Sequence, residues 1–140
     1  MFDKFSTETV LREGLELRTW RGGQGPALLL LHGHPQTHVM WHRVADELAT
    51  RFTVVMMDLR GYGDSGRPGA TAGHGAHSKR EMARDALAVM RHHGFERFQV
   101  LAHDRGARVA HRLGLDHAEA VENMMLLDIA PTLAMYEGTT

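Results

Sequence analysis

Val100-Leu101-Ala102-His103-Asp104-Arg105-Gly106-Ala107-Arg108 is the stretch on which the reading of this chain turns. Phe98 to Leu101 read as a short buried strand. Arg105 to about Asp116 read as a helix, with Val109, Ala110 and Leu113 at helical spacing. Between them, Ala102-x-Asp104-x-Gly106 sets small residues two before and two after an aspartate. This spacing fits a sharp strand-to-helix turn in which strand and helix pack closely and the middle side chain is lifted clear. A carboxylate there sits at the positive end of the following helix, which favours its ionised form and leaves it able to attack carbon. The same residues also suit an aspartate that only caps the helix. The neighbouring segments have to separate the two.

Upstream of the turn, Ser78-x-x-Glu81 is a capping box that opens a helix with Met82, Ala86, Val89 and Met90 inward and a stop at Gly94. Residues 67–77, rich in glycine with Pro68, read as an exposed, mobile loop. Phe52 to Met57 form an apolar strand closed by Asp58-Leu59-Arg60-Gly61-Tyr62-Gly63-Asp64-Ser65-Gly66. No Lys-Ser/Thr pair follows these glycines, so they read as a tight structural turn and not a phosphate loop. Earlier still, Ala27 to Leu31 are continuously apolar, as in a strand buried on both faces, and end at His32-Gly33-His34-Pro35. His38 to Ala49 read as a helix, with Val44 and Leu48 four apart. Phe5 to Leu11 and Leu15 to Trp20 read as a hairpin about Arg12-Glu13-Gly14, with Phe5, Thr7, Thr9 and Leu11 on one side. Downstream of the turn, Val121 to Leu127 make one more strand, ending in Asp128-Ile129-Ala130-Pro131-Thr132.

Strands alternating with helices predict an α/β fold with a mostly parallel sheet and helices on both faces. Sites in such folds lie at the carboxyl ends of the strands. His32 to Pro35, Asp58, Asp104 and Asp128 all stand just past a strand end.

Composition narrows the function classes. With 43% hydrophobic residues in 140, the chain supports one modest core. A net charge of −1 without a run of Lys or Arg leaves no electrostatic footprint for nucleic acid. The absence of cysteine removes disulfides and thiolate metal sites. The longest apolar run, Ala27 to Leu31, is too short to span a bilayer, so no membrane partner is expected. The N-terminus lacks a signal-peptide pattern, and a cytoplasmic location is the default. His32/His34, His38/His42 and His92/His93 invite a metal reading, but no acidic partner recurs at a ligand spacing such as H-E-x-x-H. Neither a metal nor a cofactor is expected.

Four stretches then matter together: Leu28 to Val44 with its His32-Gly33-His34-Pro35, Asp58 to Gly63, His103 to Val109, and Leu126 to Thr132. In this order they resemble the aspartate-nucleophile branch of the α/β-hydrolases, that of haloalkane dehalogenases and epoxide hydrolases. Within it the similarity is greatest to the fluoroacetate (haloacetate) dehalogenases. The resemblance implies a hydrolytic dehalogenase acting on haloacetates through an aspartyl-ester intermediate. It makes Asp104 the nucleophile and Asp128 the acid that orients a base histidine. The backbone N–H of His34 becomes an oxyanion contact, although a histidine stands where the family usually has an aromatic residue. Relatives acting on uncharged substrates place Trp after the aspartate. Here Arg105 follows it, and Arg108 comes three later. Forked guanidinium donors match a substrate carboxylate. Cations in a first helical turn oppose the helix dipole by about 0.3–1 kcal/mol, so two of them call for a reason beyond surface placement.

The resemblance also implies a helical cap domain and a late base histidine, and none of the chain's histidines fits the latter role. Residues 1–140 therefore read as the N-terminal part of an α/β-hydrolase core domain, ending where the cap would begin and inactive alone. A half sheet leaves an apolar edge open to association or aggregation, and homodimer formation stays open. Two alternatives remain at this stage: an epoxide hydrolase of the same fold, and a non-catalytic module that binds a carboxylate ligand or a partner chain.

Overall fold

A computed structural model describes residues 1–69, 75–130 and 137. Ser6–Arg12 (β1), Leu15–Gly22 (β2), Ala27–Leu31 (β3), Thr53–Met57 (β4), Phe98–His103 (β5) and Val121–Leu127 (β6) form one sheet in the order β1-β2-β4-β3-β5-β6. β1 pairs with β2, and β2 with β4, antiparallel, while β4, β3, β5 and β6 run parallel. The helices are Ala45–Leu48 (α1), Lys79–His92 (α2) and Arg105–Asp116 (α3).

The uninterrupted apolar runs of β3 and β4 follow from burial on both sides, and every residue of the two strands is buried. Side chains alternate across a strand, so the runs divide between two cores. Leu29, Leu31, Val55, Met57, Val100 and Ala102 meet the apolar stripes of α2 and α3, with Met82, Ala86, Val89, Met90, Val109, Ala110 and Leu113. Leu28, Leu30, Val54 and Met56 meet Phe5, Trp20, Trp41 and Ala45 on the other face. Each such aliphatic side chain contributes about 1.5–3 kcal/mol on burial. The Ser78 hydroxyl accepts the Glu81 N–H and starts α2, as the capping box predicts.

An ion cluster ties α2 to the sheet. The buried Asp85 carboxylate accepts from Arg60 Nε (2.6 Å), Arg60 Nη2 (2.7 Å) and Arg12 Nη1 (2.8 Å). Arg12 Nη1 also reaches Glu81 at 3.1 Å.

One local expectation, that for residues 38–49, is corrected, and the inward face of the hairpin is set. In the hairpin the inward residue is Val10, and Leu11 is 68% exposed. Val10 pairs with Leu17 in register and both join the α2/α3 core, so a period of two turns Leu11 outward. Residues 38–49 are not one helix but a 3₁₀ turn, His38–Trp41, followed by α1. His38, Trp41 and Ala45 point inward, and Val44 is exposed. His38 is held by the Asp58 carboxylate and stacks on Trp20 with ring centroids 3.4 Å apart, which pins the segment from its start.

β6 forms the sheet edge, where Met124, Met125 and Leu127 are exposed. Pro131, Thr132 and residues 70–74 of the glycine-rich loop lie outside the described residues. Among the described residues no helix is long and apolar enough to cross a membrane.

Candidate active site

Asp104 is the joint between β5 and α3, with φ 51° and ψ −116°. A non-glycine residue held there costs about 1–3 kcal/mol, which the packed strand and helix on either side must offset. Its side chain does not cap α3; its carbonyl oxygen takes the Ala107 N–H at 3.0 Å instead. The turn is possible because Gly106 lacks a side chain. A Cβ on Gly106 would stand 2.4 Å from the carbonyl oxygen of His32 and 2.5 Å from that of Leu31. A Cβ on Gly33 would stand 2.6 Å from Cβ of Asp104. These two absences let α3 approach β3 and let the loop after β3 close on the aspartate.

The loop delivers one backbone donor. His34 N–H donates to Asp104 Oδ1 at 3.0 Å. That bond is the largest influence holding the Asp104 carboxyl below the usual carboxylate range. Partial burial pushes the other way, and the Arg105 amide with the charges of His103 and Arg105 adds to the lowering. The group is therefore an ionised, accessible carboxylate.

The residues beneath it are structural. The buried His32 ring hydrogen-bonds Gly33 O through Nδ1 at 2.8 Å and accepts the Leu59 N–H at Nε2 at 3.0 Å. This assigns the Nδ1–H tautomer, and burial holds the ring's pKa down, so His32 is neutral and fully engaged. Asp58 accepts from the His38 amide (2.7 Å), the His38 ring (2.9 Å) and the Asp64 amide (2.9 Å). Burial alone would raise its pKa, but these donors outweigh it and hold it low. Asp58 thus organises the turn after β4, in agreement with its reading as a structural element.

Beside Asp104 a cleft of about 540 Å³ opens, lined by His34, Arg60, Tyr62, Arg67, Lys79 and Arg105 among others, with no carboxylate in its wall among the described residues. Asp85 neutralises Arg60. Arg105 donates through Nη1 to Tyr62 Oη at 2.7 Å, and Tyr62 Oη lies 3.0 Å from Nδ1 of His34. Lys79 opens α2, and its pKa is lowered first by burial and then by the charges of Arg105 and Arg108. Arg108, one turn along α3, is half-buried; it does not line the cleft but adds to its positive field. A second, apolar groove under β5 and β6, lined by Leu28, Phe52, Leu101, Met124 and Met125, holds no titratable group and no chemistry.

Asp128 follows β6 at φ 59°, with its side chain 83% exposed and Oδ2 3.5 Å from His103 Nε2. The Asp104 N–H bonds the Leu127 carbonyl at 3.0 Å, which fixes the two aspartates to the same end of the sheet. The His103 ring lies between Asp128 and Gln36, whose Oε1 is 3.1 Å from His103 Nδ1 and also receives the Gly33 N–H at 3.3 Å. Tyr62, Lys79 and Gln36 have no motif of their own. An aromatic residue between two turn glycines was the one signal for Tyr62, and a cation directly after the Ser78 cap the one for Lys79. Among the described residues no three His, Cys, Asp or Glu side chains gather as a metal site requires.

Comparison with known proteins agrees with this geometry. The family model for the alpha/beta hydrolase fold matches residues 26–138. A fluoroacetate dehalogenase from Burkholderia sp. is 48% identical over 98% of this chain and 45% of its own length. A soluble epoxide hydrolase from Corynebacterium sp. (strain C12) is 38% identical over 86% of this chain and 40% of its own. Among solved structures, an assigned α/β-hydrolase from Nostoc sp. PCC 7120 superposes with a TM-score of 0.96 at 54% identity, covering all of this chain and 48% of that one. The chain spans less than half the length of the curated relatives it matches. Its sheet, its turn at Asp104 and the family match together establish that the chain belongs to the alpha/beta hydrolase fold family.

Proposed function

We propose that the whole protein is a hydrolytic dehalogenase of haloacetates and that Asp104 carries the reaction. One observation carries this reading: an ionised carboxylate, gripped by the His34 amide, stands beside a cleft walled by cations, without a carboxylate among the described residues. A nucleophile that is itself an anion repels an anionic substrate unless positive charge offsets it, and Arg105, Arg108 and Lys79 supply that charge. Guanidinium forks also orient a carboxylate.

In the first step Asp104 Oδ2 attacks the α-carbon of the haloacetate. The carbon–halogen bond breaks and its electron pair leaves as halide, so an ester joins Asp104 to the acid. In the second step a histidine beyond this chain, oriented by Asp128, takes a proton from water, and the oxygen adds to Cγ of Asp104. Negative charge then collects on Oδ1, where the His34 N–H already points. Collapse breaks the Cγ–Oδ2 bond, the leaving alkoxide takes the proton held by the histidine and departs as the hydroxy acid, and the second water proton passes to solvent as the carboxylate is restored. The balance needs water alone and no cofactor.

The similarity to the Burkholderia fluoroacetate dehalogenase supports this substrate class. The Corynebacterium epoxide hydrolase supports a second reading with the same nucleophile. An epoxide carries no charge, however, and would leave the cationic wall without a partner. Halide release from chloroacetate and fluoroacetate, measured beside diol formation from styrene oxide, decides between them. Diol without halide overturns the proposal. Acid binding with neither product returns the site to a binding module.

A further inference from the structure

We propose that Tyr62 is a positioning residue that aims Arg105 at the substrate carboxylate and couples it to the His34 loop. This rests on the reading of Arg105 as the partner of an acid. Arg105 begins α3 on a long side chain with many rotamers, so some group has to fix its direction. Tyr62 Oη does so, accepting from Nη1 at 2.7 Å.

The contrast with Arg60 is informative. Arg60 is held by both oxygens of Asp85, and its charge is spent within the fold. Arg105 is held by a neutral oxygen, which orients the guanidinium and leaves its charge for a ligand. Nη1 meets the phenol, and the rest of the donor fork stays available to a carboxylate.

The phenol has a single hydrogen. Tyr62 Oη, which accepts from Arg105, is also hydrogen-bonded to Nδ1 of His34 at 3.0 Å, the direction set by the histidine tautomer. The backbone N–H of the same histidine donates to Asp104 Oδ1. A hydrogen-bonded chain thus links Arg105 through Tyr62 and His34 to the carboxylate. The phenol is not on a loose arm. Its ring meets the buried His32 ring edge-on at 5.3 Å and the His34 ring at 5.8 Å, and its backbone is closed by Tyr62 N–H to Leu59 O at 2.9 Å and Ser65 N–H to Tyr62 O at 3.0 Å.

Tyr62→Phe in the whole protein removes the hydroxyl and keeps the ring. Affinity for glycolate, the product acid, is expected to weaken about tenfold, as for one lost hydrogen bond to a charged group, and KM for chloroacetate to rise in step. Expected alongside are a smaller effect on chloroacetamide than on chloroacetate, an unchanged melting temperature, and a shift of the His34 ring ¹⁵N resonances. Unaltered glycolate affinity, or equal losses on acid and amide, would overturn the role. If the variant keeps its acid affinity while wild type releases halide, the dehalogenase reading stands and the Tyr62 role falls. If wild type binds glycolate without releasing halide from chloroacetate, the glycolate affinities still judge Tyr62 while the reaction fails.

Discussion

The amide nitrogen of His34 stands 3.0 Å from Oδ1 of Asp104, so the loop after β3 grips the side chain that β5 and α3 hold up. The contact joins two of the motifs, 70 residues apart in the chain. It favours the ionised form of the carboxylate. On the proposed mechanism, that bond strengthens when charge develops on Oδ1 during ester hydrolysis.

Gly106→Ala should destabilise the fold by about 1–3 kcal/mol, because the new methyl meets backbone oxygens of β3 and its loop that cannot move aside. Gly114→Ala, in the same helix, is the control. Its methyl meets only the far end of the Met124 side chain on the exposed edge, and alanine is the better helix former. Urea unfolding of the two variants should therefore separate them in opposite directions. Equal effects would show that the α3–β3 approach is not close.

Asp85→Ala should cost about 3–5 kcal/mol, since it leaves Arg60 with an uncompensated charge in the fold. The denaturation midpoint measures it. A loss below about 1 kcal/mol would mean that solvent relieves these guanidinium groups and the cluster is not a structural tie.

Stability should fall as pH drops below about 6.5, the ordinary histidine value. Burial is the first cause holding His32 and His93 below that value in the folded chain. The unfolded chain then takes up protons that the folded one does not, at about 1.4 kcal/mol per pH unit for each proton. The loss ends once pH passes below the folded values. The depressed Asp58 and Asp104 act lower: their contribution is present above the ordinary carboxylate value of 3.8 and disappears as pH falls through their folded values. Unfolding midpoints at pH 7.5, 6.5 and 5.5 check the histidine window, and a constant midpoint would contradict it.

Much of the site was legible because it rests on local sterics. Ala102-x-Asp104-x-Gly106 announces its turn through residue size alone, and the five apolar residues of β3 announce burial on both faces. The misread parts depend on distant partners. The alternation of the hairpin did not say which side faces inward, and Val10 does so because it pairs with Leu17 across the turn. The helix expected over residues 38–49 is interrupted at residues 42–44, and its start is fixed by Asp58, which holds His38 from 20 residues away. Tyr62 and Lys79 reach the cleft only because the turn after β4 and the start of α2 converge on α3, and no spacing within either segment encodes that meeting.

Arg105→Ala in the whole protein should lower kcat/KM for fluoroacetate roughly ten- to a hundredfold, as charge-assisted hydrogen bonds of about 1.5–3 kcal/mol are lost, and Arg108→Ala, which removes positive charge from outside the cleft wall, should lower it less. Fluoroacetamide should be much less affected, and melting temperatures nearly unchanged. Arg108→Lys keeps the charge and should retain most of the activity, because Arg108 acts on the cleft through its field. Arg105 lines the cleft and Arg108 does not, so the larger effect is expected at Arg105. Equal losses on acid and amide would make the arginines structural.

The most direct test is the fate of solvent oxygen. The whole protein is taken through many turnovers of fluoroacetate in ¹⁸O-labelled water and digested, and the peptide containing Asp104 is weighed. Attack of water on the Asp104 ester places solvent oxygen in that carboxylate, so the peptide should gain ¹⁸O, and Asp104→Asn should abolish fluoride release. Continued fluoride release with no label in the Asp104 peptide would contradict the covalent role of Asp104.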